Sequence, residues 1–184
     1  MAMNTTFFYD EDTGRYIVKG ARILFPNFEG AEQNYNQSGK RNFRLVITEG
    51  MADEMKQRGI YVRTMEPRDE TEETQYTIKI GVYSDTDVRL LSGGKMTSVV
   101  VPDNDTRRNP DYDIEEDPMT MIDREFRKAH VKNGDISLEF HISRNTRVAG
   151  SSPYARLDTI VIPIRKSRLL ADYEDMETDE DEPF

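Results

Sequence analysis

Apolar and polar residues alternate along several stretches of the chain, and a period of two places successive side chains on opposite faces of a strand. The first such stretch is RYIVKGARILF, residues 15–25, with Ile17, Ile23 and Phe25 on one face and Val18, Arg22 and Leu24 on the other. Gly20 inside it predicts a bulge or sharp coil, which would let one long bent strand serve two sides of a small barrel. NFRLVIT sets Phe43, Leu45 and Ile47 against Arg44, and IYVRT sets Ile60 and Val62 against Tyr61 and Arg63. QYTIKIGVY, residues 75–83, has the clearest pattern: Tyr76, Ile78, Ile80 and Val82 form an apolar row, with Lys79 and Tyr83 on the other side. DISLEFHIS repeats it through Ile136, Leu138, Phe140 and Ile142, and YARLDTIVIPI, from Tyr154, is the last strand. A shorter strand is expected at 97–101.

Two stretches carry helical signals instead. MADEMKQR, residues 51–58, is closed by Gly59 as a C-terminal cap, and MIDREFRKAH, residues 121–130, clusters Met121, Ile122, Phe126 and Ala129. Residues 26–40, rich in Asn, Gly and Gln, read as a loop, and Ser92-Gly93-Gly94-Lys95 as a hairpin turn. Five principal β segments with a helix or two between them predict a mainly β fold, a five-stranded barrel with one or two short helices. A sandwich satisfies the same periodicity. The expected organisation is an N-terminal extension over 1–14, one domain over 15–170 with an acidic loop near 103–118, and a disordered acidic tail over 171–184.

Charge sharpens this division. The 184 residues carry 35 acids and 25 bases, a net of -10, which argues against a phosphate-bearing partner. The average misleads, because residues 171–184 hold eight acids and no base; the other 170 residues hold 27 acids and 25 bases, a net of only -2. Within that body, 66–73 and 103–117 concentrate acids and read as solvated loops. The strand-bearing segments 15–48 and 141–168 are basic. No cysteine is present, which excludes a disulfide framework, a thiolate metal site and a cysteine nucleophile, and points to a reducing cytoplasm. No apolar run approaches the length of a membrane span, so no membrane association is expected.

Candidate chemistry is sparse. His130 and His141 stand alone, without a Ser or Asp at triad spacing, so the chain reads as a non-enzyme. Asp103-x-Asp105 and Asp111-x-Asp113-x-Glu115 lack the glycine of a calcium loop, and Arg107 and Arg108 interrupt them. No metal or cofactor is expected. What stands out is the row of basic and aromatic residues opposite the apolar rows: Arg22, Arg44, Tyr61, Arg63, Lys79 and Tyr83. Tyr35, Lys40, Arg41, Arg144, Arg147, Tyr154 and Arg156 in loops and strand ends extend it. Cations for phosphates interleaved with flat rings for exposed bases are what single-stranded nucleic acid requires.

The chain closes in Asp179, Glu180, Asp181, Glu182, Pro183 and Phe184, so an aromatic ring and a carboxylate project together from an acidic leash. A partner protein can take that pair in an apolar pocket beside a base. This ending resembles the acidic Pro-Phe tip of bacterial and phage single-stranded-DNA-binding proteins, with Glu182 where the bacterial tip usually has an aliphatic residue. The body resembles phage members of that class over 15–165, through VKGARILFPNFEG, GKRNFRLVI and YTIKIGVY. The resemblance implies an OB-fold, binding of single-stranded DNA without sequence specificity in phage replication or recombination, partner recruitment by the tip, and the host cytoplasm as location. The stacking tryptophans of many bacterial relatives are absent, so Tyr and Phe would take that role. A competing reading is an acidic DNA mimic that inhibits a host nuclease or restriction enzyme.

Overall fold

The computed structural model describes residues 4–32 and 39–165. In chain order the elements are β1 (Thr6–Asp10), β2 (Arg15–Ala21), β3 (Ile23–Asn27), β4 (Arg41–Ile47), α1 (Glu49–Gln57), β5 (Val62–Met65), β6 (Gln75–Val82), β7 (Asp87–Ser92), β8 (Lys95–Val99), α2 (Pro118–Arg127), β9 (Ile136–Ser143) and β10 (Tyr154–Pro163). The fold is mainly β. Neighbouring strands run β1-β2-β9-β10-β6-β4-β3, with β5 beside β6 and the β7–β8 hairpin beside β10. All pairings are antiparallel except β10 with β6 and β10 with β7.

Strands β2 and β3 are two halves of one bent strand, separated by Arg22 alone. The path that leaves β2 through β9, β10, β6 and β4 therefore returns at β3 to the stretch of chain where it began, an OB-like arrangement. The bend lies where the alternation predicts it: Gly20 has φ +66°, and the β2–β9 register shifts between Val18 and Ala21. That shift also changes which side chains face inward. Val18 and Ile23 are buried while Phe25 is exposed, so the assignment of Phe25 and Ile17 to the face of Ile23 does not survive the bulge. The expectation of five strands is met by the barrel itself and exceeded by the sheet, because β1, β5, β7 and β8 extend it to ten strands. No alternation in the sequence predicts β7, and β1 falls within the expected N-terminal extension.

The core lies inside this sheet. Tyr16, Phe43, Leu45, Ile78, Ile80, Leu138, Phe140, Leu157 and Ile160 come from five barrel strands and are all buried, each contributing about 1.5–3 kcal/mol of transfer free energy. Rings stack within it: Tyr16 on Phe140 at 5.0 Å and Phe28 on Phe43 at 5.5 Å between centroids. Helix α1 begins with Thr48 accepting a hydrogen bond from the Met51 amide at 3.2 Å and ends before Gly59, whose φ of +82° suits the expected cap. Helix α2 starts earlier than its apolar spacing predicts, because Asp117 accepts from the Met119 amide at 2.8 Å and Pro118 opens the first turn. The earlier start turns Met119 and Ile122 inward and leaves Met121 exposed, while Ala129 lies beyond the helix end.

The acidic segment between β8 and α2 is folded against the barrel. Asp105 accepts from Arg107 at 3.0 Å and Asp103 from Arg108 at 2.8 Å, so its acids are neutralised locally. The Arg107 guanidinium holds the Asp105 carboxyl down at about 2. This segment and α2 also clasp the base of the β3–β4 loop. Asp123 accepts from the amides of Phe28 and Glu29 at 3.0 and 2.9 Å, and Asn104 donates to the carbonyl of Gly39 at 3.2 Å. Arg41 donates to the Phe28 and Pro102 carbonyls and, at 2.8 Å, to Asp117; the two charged side chains are only 3% and 0% exposed. Tyr112 closes the cluster with its hydroxyl 2.6 Å from Asp117; burial, and then that bond, raise its pKa to about 12.

Candidate nucleic-acid interface

The outward rows of β4, β6 and β10 meet on one side of the barrel. Register aligns Arg44 with Lys79, and Gly81 with both Asn42 and Arg156. Along β6, Lys79, Gly81 and Tyr83 therefore share the outward face, with Gly81 at the centre of a row that crosses three strands. An ideal Cβ on Gly81 would lie 2.8 Å from Cε2 of Tyr83 and 3.0 Å from its hydroxyl. The missing side chain lets the Tyr83 ring fold back over the strand. Its centroid lies 6.2 Å from that of Tyr154, and the Arg156 guanidinium sits 4.1 Å above it.

Two adjoining grooves occupy this face. The first, about 520 Å³, is lined by Lys40, Asn42, Arg44, Tyr61, Lys79, Tyr83, Pro153 and Tyr154 among others. The second, about 750 Å³, is lined by Tyr83, Tyr154, Arg144, Arg147 and Arg156 with Asn145 and Thr146. Tyr83 and Tyr154 belong to both, so the two grooves form one track with the ring pair at the junction. Of the residues expected from the sequence, the structure brings together Lys40, Arg44, Tyr61, Lys79, Tyr83, Arg144, Arg147, Tyr154 and Arg156.

The remaining expected residues go elsewhere. Arg41 is a correction, since its guanidinium is buried against Asp117; it borders the first groove but holds the fold together. It shares the inward parity of Phe43 and Leu45, which accounts for the difference. Arg22 is exposed at the β2–β3 bend and lines neither groove. Arg63 also lies outside both, though its guanidinium is 5.7 Å from the ring of Phe25. Tyr35 and the six tip residues Asp179 to Phe184 lie outside the described residues. Phe25 is what sequence reasoning missed, because the bulge that turns it outward breaks the period-two count. Pro26, which cannot donate to a ladder, was the available signal.

Electrostatics separate this track from the rest of the surface. On β2, β9 and β10, Arg15 lies 3.5 Å from Glu139 and 3.6 Å from Asp158, and His141 is 2.8 Å from Asp158, so the cation there faces acids directly. Within the track Arg156 is paired with Asp85 at 2.6 Å. Among the described residues, by contrast, neither Arg44 nor Lys79 has an ion pair with an acid. Burial, and then the charge of Arg63, lower the pKa of Arg44; burial, and then Arg44 and Lys40, lower that of Lys79. Mutually repelling, part-desolvated cations form a site that an anion would relax.

A family model described as "Putative phage ssDNA-binding domain" matches residues 10–130, which is 121 of the 184 residues. The chain belongs to this phage ssDNA-binding family. The match to this family spans the chain from the end of β1 through α2, and so includes β4 and β6 of the track. Among solved structures, the C-terminally truncated single-stranded DNA-binding protein of bacteriophage Enc34 is 14% identical, with a TM-score of 0.48 over 100% of this chain and 94% of that one. The same Enc34 protein in complex with ssDNA is 11% identical, with a TM-score of 0.45 over 84% of this chain and 89% of that one. No curated protein matches the chain. Among the described residues of this family member, no helix is long and apolar enough to cross a membrane, and no cluster of three metal-ligating side chains occurs.

Proposed function

We propose that this chain binds single-stranded DNA along the track from Lys40, Arg44 and Lys79 through Tyr83 and Tyr154 to Arg144, Arg147 and Arg156, without sequence specificity. The observation that carries the reading is the pair Arg44 and Lys79, side by side without an acid between them and flanked by exposed rings. Phosphates would lie along these cations and release their counterions, while bases stack on Tyr61 and on the Tyr83–Tyr154 pair, each ring contributing about 1–3 kcal/mol. Stacking is blind to base identity because every base offers a π face. Tyr61, 74% exposed, stands free to accept one.

The wider reading is that the barrel domain over 15–170 coats and protects single strands in phage replication or recombination, in the host cytoplasm. The acidic tip Asp179–Phe184 recruits partner proteins by terminal-carboxylate and ring capture. The competing DNA-mimic reading draws no support from the acids of 103–108, which face their own arginines rather than presenting an open anionic row.

A labelled poly-dT strand titrated against the full chain, followed by fluorescence anisotropy at two salt concentrations beside a duplex control, tests the proposal. Binding that prefers the single strand and weakens with salt is expected. In addition, Arg44→Gln should reduce the slope of log K against log salt by about 0.7 for each phosphate that the variant no longer neutralises. Absence of any single-strand affinity at low salt would overturn the reading.

A further inference from the structure

Phe25 stands outside both grooves, yet three independent features set it apart. Its backbone has φ +50°, a left-handed conformation that bulky side chains rarely adopt. It precedes Pro26, whose ring disfavours helical conformations in the residue before it. Its ring is 56% exposed, although the same barrel buries Phe28 completely two positions beyond Pro26. A strained backbone and an unburied ring both oppose folding, and such outliers persist where the surrounding structure holds them for a purpose.

The structure also shows what holds this one. The β3–β4 register slips between Leu24 and Asn27, so Phe25 sits on a bulge that throws its side chain outward. Arg63 on β5 reaches back to the ring, its guanidinium 5.7 Å from the centroid. Strands β6 and β4 lie between the two residues, so this contact bridges the outward row formed by Arg63, Thr77 and Val46. In that row Thr77 and Val46 are 0% and 5% exposed, and the Thr77 hydroxyl accepts from Arg44 at 3.5 Å. Arg63 is also the charge that, after burial, lowers the pKa of Arg44, which places the bridge at the rim of the first groove.

We infer that Phe25 is a stacking subsite for an unpaired nucleobase, with Arg63 as the cation for the adjoining phosphate, extending the track past Arg44 onto the β3–β5 rim. The inference rests on the proposed single-strand binding and adds a position to it. The ring is held outward in advance by the bulge, so little ordering cost accompanies stacking. A guanidinium over an exposed ring marks the geometry in which a base and a phosphate can be taken together.

The chain contains no tryptophan, which makes a clean probe available. Phe25→Trp introduces the sole indole of the protein and should retain affinity for poly-dT within about twofold, with its emission quenched on binding. Phe25→Leu keeps an apolar side chain of similar reach at this exposed position but has no π face, and should weaken binding by about 5- to 150-fold while the melting temperature stays within a few degrees. Phe25→Gly should weaken binding equally while relieving the positive φ, so its melting temperature should not fall. Wild-type affinity in Phe25→Leu, or unquenched F25W emission with the strand fully bound, overturns the inference. Failure of the wild-type protein to bind poly-dT would instead remove the reading beneath it.

Discussion

Replacing Gly81 by alanine places a methyl group where the three nearest atoms all belong to Tyr83, at 2.8, 3.0 and 3.2 Å. Ordinary contact begins near 3.4 Å, so the ring must withdraw by about 0.6 Å at its closest atom or rotate off the strand. Either movement disturbs its stacking under Arg156, 4.1 Å away, and its approach to Tyr154. The fold itself should gain, since alanine is favoured over glycine inside a strand by about 0.5–1 kcal/mol. Affinity for poly-dT should fall by up to the contribution of one stacked base, about 1–3 kcal/mol or 5- to 150-fold. The decisive measurement is a double-mutant cycle by anisotropy across wild type, Gly81→Ala, Tyr83→Ala and the pair. Once Tyr83 is alanine, Gly81→Ala should cost nothing further. An equal loss in both backgrounds would show that Gly81 acts through something other than the Tyr83 ring, and the account of the groove floor would fail.

Two further outcomes follow from the charges. Asp117→Ala removes the partner of a buried guanidinium together with the cap of α2, and should cost about 3–5 kcal/mol in urea denaturation; a loss under about 1 kcal/mol would mean that Arg41 finds compensation elsewhere. Lys79 has its pKa lowered from 10.5, first by burial and then by Arg44 and Lys40, so its charge is complete only below that lowered value and disappears as pH rises through it. Affinity for poly-dT should therefore decline at lower alkaline pH in the wild type than in Lys79→Arg, and coincident pH profiles would contradict the role given to this lysine.

The alternation carried the barrel because each of its strands buries one face and wets the other, and in β4 and β6 the inward rows of Phe43, Leu45, Ile78 and Ile80 are as the period places them. Period two fails wherever a residue is inserted. The bulges at Gly20 and Phe25 each reset the count, which is why Val18 proved buried and Phe25 exposed. Strand β7 carries no period-two signal, because DVRLLS buries only Val88 fully and mixes the faces elsewhere. At the interface, Arg44, Tyr61, Lys79 and Tyr83 were legible as outward residues of well-formed strands. Arg41 had the inward parity, yet its charge argued for solvent; only the distant Asp117 reverses that argument, and no local pattern announces a partner 76 positions away. Gly81 was invisible as a functional position, since its contribution is the absence of a side chain beneath Tyr83.

The clasp of Asp117, Asp123 and Asn104 around the two stems of the β3–β4 loop bears on how this molecule can be shortened or varied. The stems are fixed at Phe28 and Glu29 on one side and at Gly39 and Arg41 on the other, and Gly30, whose φ is +71° and where a Cβ would meet Asn104 at 3.0 Å, belongs to the anchored part. The acidic segment before α2 supplies the anchors. Trimming it as surplus would strand a guanidinium in the interior and unmoor the stems, so a minimal version of this protein must keep residues 102–123 and make its economies elsewhere.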